Sequence, residues 1–445
     1  MEESSVLSRA SVPVAQAAET CFIKTDLAGM ILDAQKKMIR FTSLLSSSPF
    51  VAESVNAEKE EEEGAFVAAS HSSTSSTDPK AETFTYNDLV KIQAPMVRCS
   101  RPAFRKLCRL WGTTICYTHM IMSESFSQSA EARASDFSLY HGEERLVTQL
   151  AGTSGPTMAA AAALVAPYCD AVDINCGCPQ KWAMREGIGS ALLAKPELVA
   201  DMVKCIWNAV PGERLPCVVK MRVYEDVRQS VAFAQQVEAA GASWITVHGR
   251  TPWDTPSSLI RTSSITTIRD SVQVPVVANG SVECPRSAMG LALSTGVGSV
   301  MSARGLLSNP SAFYNPLPNE ALTFPVPLVN PVSGIPMTWG QHAATNPATA
   351  ILLDRASSAS VSDGAQLSSC SRCPLEVISD FLRLSAMCDL PLKATQHHLL
   401  LMANHYLSPA ERSYVSQQRS NIALFRALQS VGLYRNDGGK VSMGA

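Results

Sequence analysis

Cys169-Asp170-Ala171-Val172-Asp173-Ile174-Asn175-Cys176-Gly177-Cys178-Pro179 is a short β-branched, apolar run that ends in polar and reactive groups and then Pro. An apolar run of that length, bounded by turn residues, reads as a strand buried on both faces. Seven more such runs occur: Leu89–Ala94, Thr113–Met120, Leu146–Gly152, Pro216–Val223, Ala242–Gly249, Pro275–Gly280 and Gly298–Gly305. Amphipathic stretches separate several of them, such as Leu198, Met202, Ile206 and Val210, or Val231, Ala234, Val237 and Ala240. Buried strands alternating with helices require a parallel sheet. Eight such units predict a closed (β/α)₈ TIM barrel, with a doubly wound open sheet as the alternative.

The active site of such a barrel lies at the C-terminal ends of its strands. There the sequence collects Ala94-Pro95-Met96, Thr148-Gln149, Asn175 to Pro179, Lys220-Met221-Arg222, His248-Gly249-Arg250, Asn279-Gly280 and Arg304-Gly305. A purely structural barrel has no reason to gather these groups at one end. Strands seven and eight of this architecture usually cradle phosphate. Gly280 and Gly305 would let backbone N–H groups approach an anion while Arg304 adds charge. Plain strand-ending turns are the other reading of these glycines.

The bulk properties limit the function classes. The chain has 445 residues, 46% hydrophobic and 17% charged, with no apolar run long enough to span a membrane. The N-terminus lacks the pattern of a secretory signal, which points to the cytosol or nucleus. The thirteen cysteines are then expected to be reduced. Residues 1–83 are Ser/Thr/Ala/Glu-rich, net −6, and read as a disordered acidic tail, with a short helix possible around Leu27–Phe41. Because the whole chain is −2, the remainder sums to +4, which permits a nucleic-acid partner. The barrel would occupy residues 84–315. Residues 316–372, rich in Pro, Ser, Thr and Ala, read as a flexible low-complexity insertion, and Cys370/Cys373 at its C-terminal edge as free thiols. Helical signals return over 373–445, including the capping box Ser408-Pro409-Ala410-Glu411.

The segment Asp173-Ile174-Asn175-Cys176-Gly177-Cys178-Pro179-Gln180-Lys181-Trp182-Ala183-Met184 closely resembles the tRNA-dihydrouridine synthases, in particular the subgroup acting at positions 20a/20b of the D-loop. Ala94 to Arg98, Cys116 to Met120, Lys220 to Arg222, Trp244 to Thr251 and Ala278 to Gly280 match the family in the same order. The resemblance implies an FMN enzyme reduced by NADPH or NADH that passes hydride from flavin N5 to C6 of a tRNA uracil. The charge left behind must be quenched by a proton at C5, and a thiol holds its proton near neutral pH. By motif position that acid is Cys178, with Cys176 in packing or beside the cofactor.

By the same match Pro95 and Met96 lie against the flavin and Gln149 bonds its pyrimidine part. Lys220 and His248 stabilise negative charge, and Asn279, Gly280, Arg304 and Gly305 hold the phosphate end. Asn175 and Arg222 meet the uracil, while Lys181 and Arg250 are substrate contacts. His248 also fits a hydrogen-bonded structural residue, Lys220 an ion pair with Asp173, and Lys181 a solvated loop. No metal is expected, since Cys176 and Cys178 cannot alone complete a tetrahedral site. The helical region resembles the family's tRNA-binding element; no DNA or membrane partner and a monomeric state are expected. After Thr251 the chain departs from the family with Pro252-Trp253-Asp254-Thr255-Pro256. The rival readings are an FMN barrel acting on a free pyrimidine and a tRNA-binding protein without catalysis.

Overall fold

A computed structural model describes residues 24–46, 84–210, 215–315 and 372–433. Eight parallel strands form the core: β1 Val90–Gln93, β2 Ile115–Tyr117, β3 Leu146–Ala151, β4 Ala171–Cys176, β5 Cys217–Arg222, β6 Ile245–His248, β7 Val276–Asn279 and β8 Ser299–Ser302. Each pairs with its neighbours in order, for example Asn175 opposite Lys220 and His248 opposite Asn279. The sheet closes where Val90 to Gln93 meet Ser299 to Ser302, with β2 joined to both β1 and β3. Ile121–Met122 adds a two-residue extension along the end of β3. The expected TIM barrel is present, with every expected strand in its place. Helices cover its outside, among them Pro102–Leu110, Pro196–Ala209 and Val227–Ala239.

The helix that the sequence allowed around Leu27–Phe41 is present and longer, so this part of the acidic tail is ordered. Leu27–Ser46 forms a 20-residue helix. Leu27, Ile31 and Ala34 recur at helical spacing and pack on Val90, Ile115, Ala171, Val218 and Trp244 at the N-terminal ends of the strands. Gln35 donates to the Gly296 carbonyl (2.8 Å), and Lys37 pairs with Asp88 (2.6 Å). Gly298 is required beneath it, because a Cβ there would lie 2.2 Å from the Ala34 backbone. The helix therefore seals the barrel floor, opposite the mouth. Each Leu or Ile it buries contributes about 1.5–3 kcal/mol, enough to order an apolar stripe inside a polar tail. The rest of the tail and the insertion, with Cys370, lie outside the described residues. Cys373, read as a thiol of that insertion, is instead buried in the core of the helical region.

Among the described residues that follow, 372–433, lie four helices, Leu375–Met387, Leu392–Met402, Pro409–Ser416 and Asn421–Ser430, and the capping box at Ser408 and Glu411 is formed. They pack through Val377, Ile378 and Phe381 on Ala103 and Leu107 of the barrel helix Pro102–Leu110. His398 sits in this seam, stacked on Phe104 with ring centres 4.7 Å apart, and its Nε2 donates to the Cys99 carbonyl at 3.2 Å.

Burial, and then His397, hold the His398 pKa down at about 4. An unfolded chain titrates the same imidazole near ~6.5. Between those values the unfolded state takes a proton that the folded state refuses, so stability is full above pH ~6.5 and falls as pH drops towards 4. His119 and His248 act in the same direction. His398→Gln should therefore destabilise the protein less at pH 5 than at pH 7, measured as urea midpoints. An equal penalty at both pH values would reject this linkage.

Candidate active site

Asn175 closes β4 and builds the turn that follows. Its Oδ1 accepts from the backbone N–H groups of Gly177 and Cys178, each at 3.0 Å. The Ser190 N–H donates to the Cys178 carbonyl at 2.9 Å. Gly189, at φ 64°, presses so close that a Cβ would stand 2.6 Å from the same oxygen. The main chain of Cys178 is thus fixed from both sides. Its thiol is half-buried against Met120, Ala151, Ala183 and Ile188. Cys176, two residues earlier, is fully buried among core residues, and burial raises its pKa well above the usual thiol value.

The polar floor of the mouth is a chain of side-chain hydrogen bonds. Asn175 Nδ2 donates to Gln149 Oε1 (2.9 Å), and Gln149 Nε2 donates to Asp173 Oδ2 (2.6 Å). Burial raises the Asp173 carboxyl pKa and lowers that of the Lys220 ammonium, which Arg222 lowers further. Each charge favours the other, and the Lys220 backbone bonds the Asp173 carboxylate, but among the described residues no direct salt bridge joins the two side chains and the Lys220 ammonium has no hydrogen-bond partner. Pro95 and Met96 are half-buried beside this floor, with the Met96 N–H held by Ser100 Oγ at 3.0 Å.

Arg222 links the loops above the mouth. Its Nε donates to the Gly177 carbonyl (2.8 Å) and its Nη1 to the Thr251 carbonyl (2.9 Å). Arg250 donates to the Ser258 carbonyl (2.6 Å) and to Ser281 Oγ (2.9 Å). Asn175, Arg222 and Arg250 are therefore engaged in shaping loops. Lys181 is exposed at the start of the short helix Lys181–Arg185.

A pocket opens between strands β6, β7 and β8, lined by His248, Arg250, Asn279, Gly280, Ser281, Arg304 and Gly305, among others. Asn279 Nδ2 donates to the Met301 carbonyl at 2.8 Å. Gly280 has φ 134°, and a Cβ on it would lie 2.7 Å from Ile260. A Cβ on Gly305 would lie 2.2 Å from the Val282 carbonyl oxygen. Burial, followed by Lys220, Arg222, Arg250 and Arg304, drives the His248 pKa to about 2. The imidazole is neutral among four cations, a setting that favours an anion.

Two residues given no role from sequence also belong here. His119 stands just beyond β2, its Nδ1 buried without a hydrogen-bond partner, and burial followed by Arg101 lowers its pKa to about 4. Ser281, at φ 53°, continues the strained turn that Gly280 begins. The polar ends of the strands signalled the former, whereas only the pocket reveals the latter. Among the described residues no cluster could hold a metal ion, and no helix is long and apolar enough to cross a membrane.

Comparison with known proteins points the same way. Residues 92–330 match the family described as dihydrouridine synthase (Dus). A human protein named "tRNA-dihydrouridine(20a/20b) synthase [NAD(P)+]-like" is 43% identical over 232 residues, covering 52% of this chain and 73% of that one. A Schizosaccharomyces pombe tRNA-dihydrouridine(20a/20b) synthase is 43% identical over 224 residues, covering 50% and 68%. The Saccharomyces cerevisiae protein of the same name is 36% identical over 247 residues, covering 54% and 67%.

Proposed function

Since the chain belongs to the dihydrouridine synthase family, we propose that it reduces the C5=C6 bond of uridine in tRNA, at D-loop positions 20a and 20b, with FMN as cofactor. The observation that carries this reading is a half-buried thiol, Cys178, on a rigid turn beside Lys220 and Arg222, next to a cation-ringed cradle. The cradle suits the phosphate of FMN on two counts. Gly280 and Gly305 let two backbone turns approach more closely than any side chain would permit, and Arg250 and Arg304 line the pocket against a single carboxylate, Glu283, with Lys220 and Arg222 also acting on His248. When bound, the flavin supplies hydride to uracil C6, having received it from NADPH or NADH.

The chain's own residues do the rest. Gly280, Arg304, Gly305 and Asn279 form the phosphate end, while Pro95, Met96 and Gln149 line the ring's place. Lys220 is a cation in a low-dielectric site with its donors free, suited to hold negative charge. His248 stays neutral there and acts as a hydrogen-bonding group. Cys178 gives its proton to C5, and its sulfur is re-protonated from solvent. Asn175 and Arg222 hold the Cys178 turn where the uracil enters, and Arg250 holds the neighbouring wall. Lys181 and the helical region 373–445 take the RNA backbone. The target base must leave its stack to enter the mouth. The enzyme works as a monomer in the cytosol or nucleus.

The test is direct. The purified protein should be yellow and should reduce tRNA but not free uracil or orotate. Cells lacking it should lose dihydrouridine at 20a and 20b. A folded, colourless protein or an unchanged dihydrouridine map would overturn the reading.

A further inference from the structure

The loop after β6 carries two large apolar side chains in solvent, Trp253 at 82% exposure and Leu259 at 90%. A single exposed apolar residue on a mobile loop needs no explanation. This loop is tied down. The Thr251 N–H donates to Asp254 Oδ2 (2.6 Å), which also pairs with Arg261. Three cations of the mouth hold its carbonyls: Arg222 takes Thr251 O (2.9 Å), Arg304 takes Pro256 O (2.8 Å) and Arg250 takes Ser258 O (2.6 Å). Through its second bond, to Gly177 O, Arg222 also fixes this loop relative to the Cys178 turn. The backbone that carries the indole is thereby held beside the mouth, at a fixed place relative to the Cys178 turn, on arginine supports.

We propose that Trp253 is a stacking platform for an unpaired tRNA base adjacent to the uridine being reduced. The inference rests on the tRNA reading above. A flat aromatic face beside a line of cations is what a single-stranded nucleic acid recognises, because every base has a π-face and every linkage a negative charge. Holding the loop backbone in advance leaves only the indole side chain to order when the base arrives. The carboxylate in the loop, Asp254, is neutralised by Arg261 and so does not repel the polyanion.

The holoenzyme variants Trp253→Ala, Trp253→Phe and Leu259→Ala test this at equal flavin content, using a full-length tRNA transcript. Trp253→Ala should raise both Kd and KM for tRNA by about tenfold and leave kcat for bound tRNA within about twofold. Trp253→Phe should recover most of the loss, because it keeps a π-face. Leu259→Ala, equally exposed but without one, should change Kd by less than about twofold. The proposal fails if Trp253→Ala binds tRNA as wild type does, which would leave the indole for contact with a protein. It also fails if Leu259→Ala loses as much as Trp253→Ala and Phe gives no rescue. A wild-type enzyme that neither carries flavin nor reduces tRNA would refute the function and not the platform alone.

Discussion

Cys178→Ala protein should purify yellow and consume NADPH with oxygen as acceptor, while dihydrouridine formation falls by about a hundred- to ten-thousand-fold. That range is the contribution of a positioned general acid, and a cofactor that still accepts hydride cannot compensate for it. The variant should fold, because the turn is held through backbone groups. Asn175 Oδ1, Ser190 N–H and Gly189 all act on the main chain of residues 177 and 178, and none needs the sulfur. Cys178→Ser should lie between the two, since a hydroxyl donates its proton far less readily than a thiol. Cys176→Ala is the control. Its sulfur is fully buried in the barrel core, out of reach of a base in the mouth, so turnover should change little. Single-turnover oxidation of the reduced enzyme by tRNA separates this step from flavin reduction. Unchanged turnover in Cys178→Ala would move the acid elsewhere, with His119 the next group to examine.

The strands were legible because each is buried on both faces and so reads as a short apolar run, and the barrel mouth was legible because polar residues close those runs. Side-chain commitments were not. Arg222 and Arg250 stand at strand ends, as a substrate-binding residue would, yet their guanidinium groups bond carbonyls of Gly177, Thr251 and Ser258 in separate loops. Such contacts depend on loop geometry that no local spacing encodes. A short helix around Leu27–Phe41 was legible as a possibility, but the docking of Leu27–Ser46 on the barrel was obscured for a different reason. Its stripe of Leu27, Ile31 and Ala34 is short, and the composition around it is that of a disordered tail. Only the open floor of the barrel supplies the surface that makes its burial favourable. Cys373 shows the same effect, since an adjoining Ser-rich segment concealed a core position.

Gly305→Ala should yield a folded protein that has lost its flavin. The new Cβ would stand 2.2 Å from the Val282 carbonyl oxygen and 2.8 Å from Glu283 Cα. Both are backbone atoms, so the wall after β7 must move, and that wall carries Ser281 and Glu283 of the pocket. The strain falls on a loop at the rim, away from the floor sealed by Leu27 and Ile31, so the barrel itself should persist. Arg304→Ala offers a milder version of the same test. Arg304 is exposed and its Nη2 bonds only the Pro256 carbonyl, so its loss should not threaten folding. Removing a charge-assisted hydrogen bond to phosphate costs about 1.5–3 kcal/mol, or roughly ten- to 150-fold in FMN affinity. Riboflavin, which lacks the phosphate, should bind both variants and wild type about equally weakly. Absorbance near the flavin bands and titration of apoprotein with FMN give the numbers. If both variants retain wild-type affinity for FMN, the ends of β7 and β8 do not hold the phosphate, and the four cations around His248 serve the RNA instead.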